Sequence, residues 1–433
     1  MKNKSMKIHF LLIAVCGLWL NVNSQIPVPA KPQSQSIVLK GATVHVGNGT
    51  VIENGAVKFE NGKILFVGNE SELKAGANEK VIDVKGKHIY PGFIAPNTVL
   101  GLVEIEAARP TRDFNEVGEM NPNVRSLIAY NTDSRIIPTI RSNGVLLAEI
   151  TPVGGTISGT SSVVQLDAWN WEDATYKTDI AIHLNWPVMT IKKGWWAEPG
   201  GNEANKKYQE AIKKIDDFFA QAKAYYSEPS AEKNLKFEAM KDVFAKTKKV
   251  FVHVSGAKEI MEVAAFKKKY DVDVVIAGGE ESYQVADVLK ENNIPVILGE
   301  LHALPGKPED DVDLPYKMPF LLKQAGVEFC LSMSGSWQQR NLPFIAGTAA
   351  SYGLSKEEAL AAITSSTAKI LGLEKTTGTL EVGKDANIII SEGDVLDMRT
   401  SKITQAFIHG RQVELDNHQT QLYHKFTDKY NNQ

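Results

Sequence analysis

Tyr90-Pro91-Gly92-Phe93-Ile94-Ala95-Pro96-Asn97-Thr98-Val99-Leu100-Gly101 is the stretch at which the pattern of the chain changes. Before it, β-branched segments at residues 37–46, 51–59, 64–67 and 81–84 are separated by turn dipeptides such as Gly47-Asn48 and Asn61-Gly62, which predicts a small antiparallel sheet. After it, apolar runs at 89–95, 145–150, 163–166, 180–184, 250–254, 272–277, 295–299 and 327–332 alternate with longer polar–apolar stretches. Eight strands spaced in that way predict an α/β fold of parallel βα units, a (β/α)8 TIM-like barrel.

The stretches 206–226 and 233–248 carry apolar residues at helical spacing between Lys and Glu, so they read as solvated outer helices. Ser355 followed by Glu358 predicts a helix opened by a capping box. From 378 the chain returns to short apolar strands (378–380, 386–391 and 403–413), which are expected to complete the first sheet as one discontinuous β-sandwich. The predicted layout is a signal segment at 1–24, a Pro- and Gln-rich linker at 25–36, sandwich at 37–90, barrel at 91–375, sandwich again at 376–415 and a tail at 416–433.

Lys2, Lys4 and Lys7 precede an apolar run at 8–20, and the small Ser24 stands before Gln25, the pattern of a secretory signal cleaved after Ser24. The run is too short to span roughly 30 Å of hydrocarbon, so a periplasmic or secreted protein with no membrane association after cleavage is expected. Ile13, Ala14 and Val15 make a poor lipidation signal for Cys16. Loss of three lysines and no acid moves the formal charge from −3 to −6, and no basic stripe offers itself to phosphates, so a nucleic-acid partner is not expected. Cys330, then the one cysteine left, sits in an apolar run and reads as a buried small hydrophobe.

Three stretches resemble the amidohydrolase superfamily, particularly its imidazolonepropionase-like branch. The first is Tyr90-Pro91-Gly92-Phe93-Ile94. The second is Gly353-Leu354-Ser355 with Glu357-Glu358-Ala359-Leu360, Ile363-Thr364, Ala368-Lys369 and Leu371-Gly372. The third runs from Gly378 through Gly383-Lys384-Asp385-Ala386 to Ile408-His409-Gly410. The resemblance implies hydrolysis of non-peptide C–N bonds, in amides or cyclic amides, by zinc or another divalent metal at the C-terminal mouth of the barrel. It implies a ligand set of a His-x-His pair after strand one, a His on strand five, a His on strand six and an Asp after strand eight. Such ligands suit zinc, which lowers the pKa of bound water.

Carried over residue by residue, that set fails. Asn97 and Val99 stand where the His-x-His pair belongs, Gly278 where the strand-six His belongs and Ser334 where the Asp belongs; His253 alone is retained. The loss is large, because water has a pKa near 15.7 in bulk and about 7 on catalytic zinc, a gap of roughly 12 kcal/mol. No metal cofactor is therefore expected. The chain reads as a pseudoenzyme that binds a small molecule or pairs, as a hetero-oligomer, with an active homologue. The competing reading is a working hydrolase with substitute ligands or a metal-free mechanism.

Other polar residues fall near the predicted mouth. Glu280, Glu281, Glu300 and His302 follow strands six and seven and could form an oxygen-rich metal site with His253, although two acids at 280–281 also suit a helix start. Arg340 follows strand eight and could fork onto a ligand carboxylate. Gly154-Gly155-Thr156-Ile157-Ser158-Gly159 lacks the ending of a phosphate loop and reads as a loop at the pocket rim. Trp169, Trp171, Trp195 and Trp196 could line a groove or pack beneath a loop.

Overall fold

The computed structural model describes residues 28–74, 76, 78–195, 198–228, 232–307 and 309–431. The signal segment 1–24 and Trp196 lie outside the described residues.

Eight strands form an accessory sheet: β1 (Ile37–His45), β2 (Val51–Glu60), β3 (Lys63–Asn69), β4 (Lys80–Asp83) and β5 (His88–Pro91) from one end of the chain, β16 (Ile388–Ser391), β17 (Ile403–Ile408) and β18 (Arg411–Val413) from the other. β16 joins the two halves, pairing antiparallel with β5 through Ile389 and Tyr90. Its buried face gathers Leu39, Val44, Val57, Phe59, Ile89, Ile388 and Phe407 into a core of its own, as alternation along each strand dictates.

The chain leaves this sheet at Gly92. Its N–H donates to Asn387 O and the next N–H, of Phe93, to Gly144 O, so adjacent residues serve two different sheets. A side chain at position 92 would place Cβ 2.5 Å from Leu146 Cδ1, which only glycine avoids. The first barrel strand is thus β6 (Phe93–Thr98), and Ile89 belongs to the accessory sheet rather than to a strand at 89–95.

The barrel continues with β7 (Val145–Ile150), β8 (Ile157–Gln165), β9 (Thr175–Asn185), β12 (Lys249–Val254), β13 (Val274–Gly278), β14 (Val296–Leu298) and β15 (Phe329–Leu331). Seven run parallel. β8 runs antiparallel to both β7 and β9, a departure from eight uniform βα units. The cause is legible in the connection: residues 151–156 are too few for a crossover, which needs about a dozen, and their Gly154-Gly155 turns the chain straight back. Ladder pairing is not continuous between β15 and β6. There, Leu331 N–H donates to Ala362 O and Ile94 N–H to Ile363 O, so one irregular segment satisfies both strand edges and nearly closes the barrel.

Each barrel strand gives one side chain to an interior apolar layer: Ile94, Leu147, Val163, Ala181, Phe251, Val275, Ile297 and Cys330, floored by Ala368 and Leu371. The outer helices Tyr208–Ser227 and Leu235–Phe244 bury Ile215, Phe219, Met240 and Val243 and leave their Lys and Glu in solvent. Ser355 and Glu358 form the reciprocal capping box. A hairpin not foreseen from the sequence, β10 (Thr190–Trp195) with β11 (Glu198–Ala204), follows β9.

The two ends are pinned to this body. Ala30 N–H donates to Asp167 Oδ2, and Asp167 also receives Arg141 and Arg411. The tail forms a helix, His418–Asn431, tied to the barrel through Gln419 to Thr139 and Asn417 to Ser142.

Candidate functional site

Strand alternation places every second residue on the barrel axis. Two positions beyond the apolar layer, toward the C-terminal mouth, stand Glu149, His183 and His253, following Leu147, Ala181 and Phe251. The equivalent steps on β13, β14 and β15 give Ala277, Gly299 and Ser332, which line the mouth.

The three polar side chains form a column. His253 Nε2 lies 2.9 Å from His183 Nδ1, His183 Nε2 lies 3.1 Å from Glu149 Oε1, and Asn97 N–H donates to Glu149 Oε2 at 2.9 Å. Glu149 and His183 have no exposed surface. The donor of the last contact is freed by a bulge: pairing of β6 with β7 slips between Ala95 and Thr98, where Pro96 has no N–H and Asn97 has φ +53°. His183 thus bridges Glu149 and His253, with Nε2 turned to the carboxylate and Nδ1 to the second imidazole. Burial first, and the adjacent His183 second, push the pKa of His253 down to about 3, so the imidazole is neutral at ordinary pH.

Above the column opens a cavity of about 330 Å³. Asn97, His253, Gly278 and Ser334 all line it, together with Glu259 and Glu300. Glu300 accepts the Ser334 hydroxyl at 2.5 Å. Glu280 and Glu281 lie in an adjoining chamber of about 380 Å³, where Glu281 is bound to Lys307 and caps Ala257 N–H. The remaining predicted residues are not brought to these walls. Val99 packs against the main core, His302 bonds Thr348 at 2.7 Å, and Arg340 donates to Trp337 O at 2.6 Å and stacks on that ring. Trp186, absent from the sequence-derived aromatic set, lines the cavity, whereas Trp169 and Trp171 do not.

Glu149 and His183 escaped the sequence reading. The signal was present: a carboxylate in the otherwise apolar Val145–Ile150 and an imidazole two residues after Ala181, each in step with the interior layer.

These side chains do not fit the divalent metal that the resemblance implies. Among the described residues no group of three or more His, Cys, Asp or Glu converges in a way that could hold an ion. His253 Nε2 is committed to His183, and Gly278 has φ +103°, a backbone state that a histidine rarely adopts.

A profile of the amidohydrolase family matches residues 333–413. Imidazolonepropionases of Bacillus thuringiensis (strain Al Hakam) and Bacillus mycoides (strain KBAB4) are 52% and 50% identical over 50 residues, a match that covers 12% of this chain and 12% of each relative. An amidohydrolase from Thermotoga maritima MSB8 superposes with a TM-score of 0.76 at 25% identity, over 87% of this chain and 99% of that one. Ochratoxinase of A. niger, at 15% identity and a TM-score of 0.51 over 88% of this chain and 96% of its own, shares the fold alone. Barrel, discontinuous accessory sheet and matched C-terminal segment agree: the chain has the amidohydrolase fold, and its C-terminal part is similar to the amidohydrolase family and to imidazolonepropionases.

Proposed function

We propose that this chain is an exported amidohydrolase-fold protein that binds a small organic molecule at its barrel mouth without metal-dependent hydrolysis, alone or as the partner subunit of an active homologue. The observation that carries the proposal is the donor set. Of the five family ligand positions only His253 offers a strong donor, and that imidazole is spent on the Glu149–His183 column. Export rests on the N-terminal pattern of Lys2, Lys4 and Lys7 before an apolar run.

The test is turnover of small amides and cyclic amides by the purified chain, with and without a chelator. No turnover above buffer is expected in either arm. Turnover that a chelator abolishes and zinc restores would overturn the proposal.

A second reading is favoured by the column itself, since a carboxylate that orients an imidazole is the arrangement used to hold a general base in one tautomer. A metal-free hydrolase would give chelator-insensitive turnover that His253→Asn abolishes.

A further inference from the structure

We infer that the barrel mouth takes an organic cation, a protonated amine or amidinium, that carries an apolar arm. This deepens the ligand-binding proposal and rests on it. The first chamber contains no lysine or arginine among its described lining residues, and its charged residues are Glu259 and Glu300. Glu259 accepts Met189 N–H and Glu300 accepts the Ser334 hydroxyl, but neither forms an ion pair with a described residue. His253 turns Nε2 to His183, and its Nδ1 has no hydrogen-bond partner among the described residues. The wall thus offers carboxylates from the helix Ala257–Tyr270 and from the end of strand seven, beside the unpartnered His253 Nδ1. A ligand that supplies N–H donors and positive charge satisfies both carboxylates, and an anion meets them uncompensated.

The two chambers share Val188, Ser255, Glu259 and Glu300 together with three glycines. Gly278 and Gly299 border both chambers, and Glu280 leans over them: a Cβ at either glycine would lie 3.5 Å from one of its carboxylate oxygens. Glu280 also lacks an ion-pair partner among the described residues. Beyond the shared residues the wall turns apolar, with Leu298, Leu301, Leu304, Leu314 and Met318. Leu304 is 87% exposed, surface that an alkyl or aryl arm would cover. Two lysines also line this chamber: Lys307, which is held by Glu281, and the exposed Lys192 of β10.

The experiment is a titration of the full chain with 4-phenylbutylammonium, 4-phenylbutanol and 4-phenylbutyrate, read by calorimetry and by the fluorescence of Trp186 in the cavity wall. The ammonium compound is expected to bind at least tenfold tighter than the alcohol, and the carboxylate weakest. Glu300→Gln and Glu280→Gln should each reduce that preference several-fold while circular dichroism is unchanged, and Leu304→Ser should weaken the phenylbutyl ammonium but not methylammonium. Tighter binding of the alcohol or the carboxylate would overturn the cation assignment and leave the ligand-binding proposal standing. Absence of binding by all three at millimolar concentration would overturn both.

Discussion

His253 Nε2 and His183 Nδ1 lie 2.9 Å apart on neighbouring parallel strands, and the second imidazole is held in turn by Glu149. A buried carboxylate satisfied by one imidazole and one backbone N–H is stable only while both partners remain. His183→Leu is therefore expected to cost about 3–5 kcal/mol, because it strands Glu149 without an exposed face. The double variant Glu149→Leu with His183→Leu should recover a large part of that loss, since removing both polar partners together leaves no orphan. Urea unfolding of the two variants checks the difference, and equal losses would mean that the column is not an energetic unit.

Acid should loosen the fold through the same imidazole. In the unfolded chain a histidine takes up a proton below about pH 6.5, whereas folded His253 does so only near pH 3. Between those values the unfolded state binds the extra proton, so stability falls as pH is lowered through that window. The slope for this one group reaches about 1.4 kcal/mol per pH unit. His88 and His409, also pushed down chiefly by burial, act in the same direction. Unfolding midpoints at several pH values between 4 and 7 measure the slope, and His253→Asn should flatten it.

Asp167 is the knot between the linker, the barrel and the accessory sheet. It accepts from Arg141 at 3.0 Å, from Arg411 at 2.8 Å and from Ala30 N–H at 2.9 Å, and both Asp167 and Arg141 are buried. Asp167→Ala is expected to destabilise by about 3–5 kcal/mol, since it leaves Arg141 charged and unpaired. It should also hasten protease cleavage around residue 30 under conditions where the wild-type chain is intact. Unchanged cleavage would mean that the linker docks by other contacts.

Gly92→Ala tests the passage from sheet to barrel. The added methyl would meet Leu146 at 2.5 Å, an overpacking expected to cost about 1–3 kcal/mol. Paired with Leu146→Ala, the same substitution should cost less than it does alone, and a double-mutant cycle in urea reads the coupling.

Much of this architecture was legible because it is written in periodicity. The strands of both ends, the outer helices at Tyr208–Ser227 and Leu235–Phe244 and the box at Ser355 follow from local patterns that tertiary contacts reinforce. The antiparallel course of β8 was not, because a run of apolar residues gives no direction; only the shortness of the 151–156 connection does. Asn97, Gly278 and Ser334, singled out through the resemblance, do gather with His253 around one cavity. The column beneath them was not legible, because Glu149 and His183 lie far apart in sequence and meet only once register is set. Val99, placed by the resemblance, and His302 and Arg340, placed by nearness to a strand end, face other neighbours, since a loop position fixes no side-chain direction.

Under the proposed function the hydrogen-bonded column of Glu149, His183 and His253 binds no divalent ion. The most direct measurement is elemental analysis of the chain after incubation with zinc, manganese and iron followed by desalting. Substoichiometric metal is predicted in every case, for the wild type and for His253→Asn alike. One equivalent of a divalent ion per wild-type chain, lost on His253→Asn, would contradict the account.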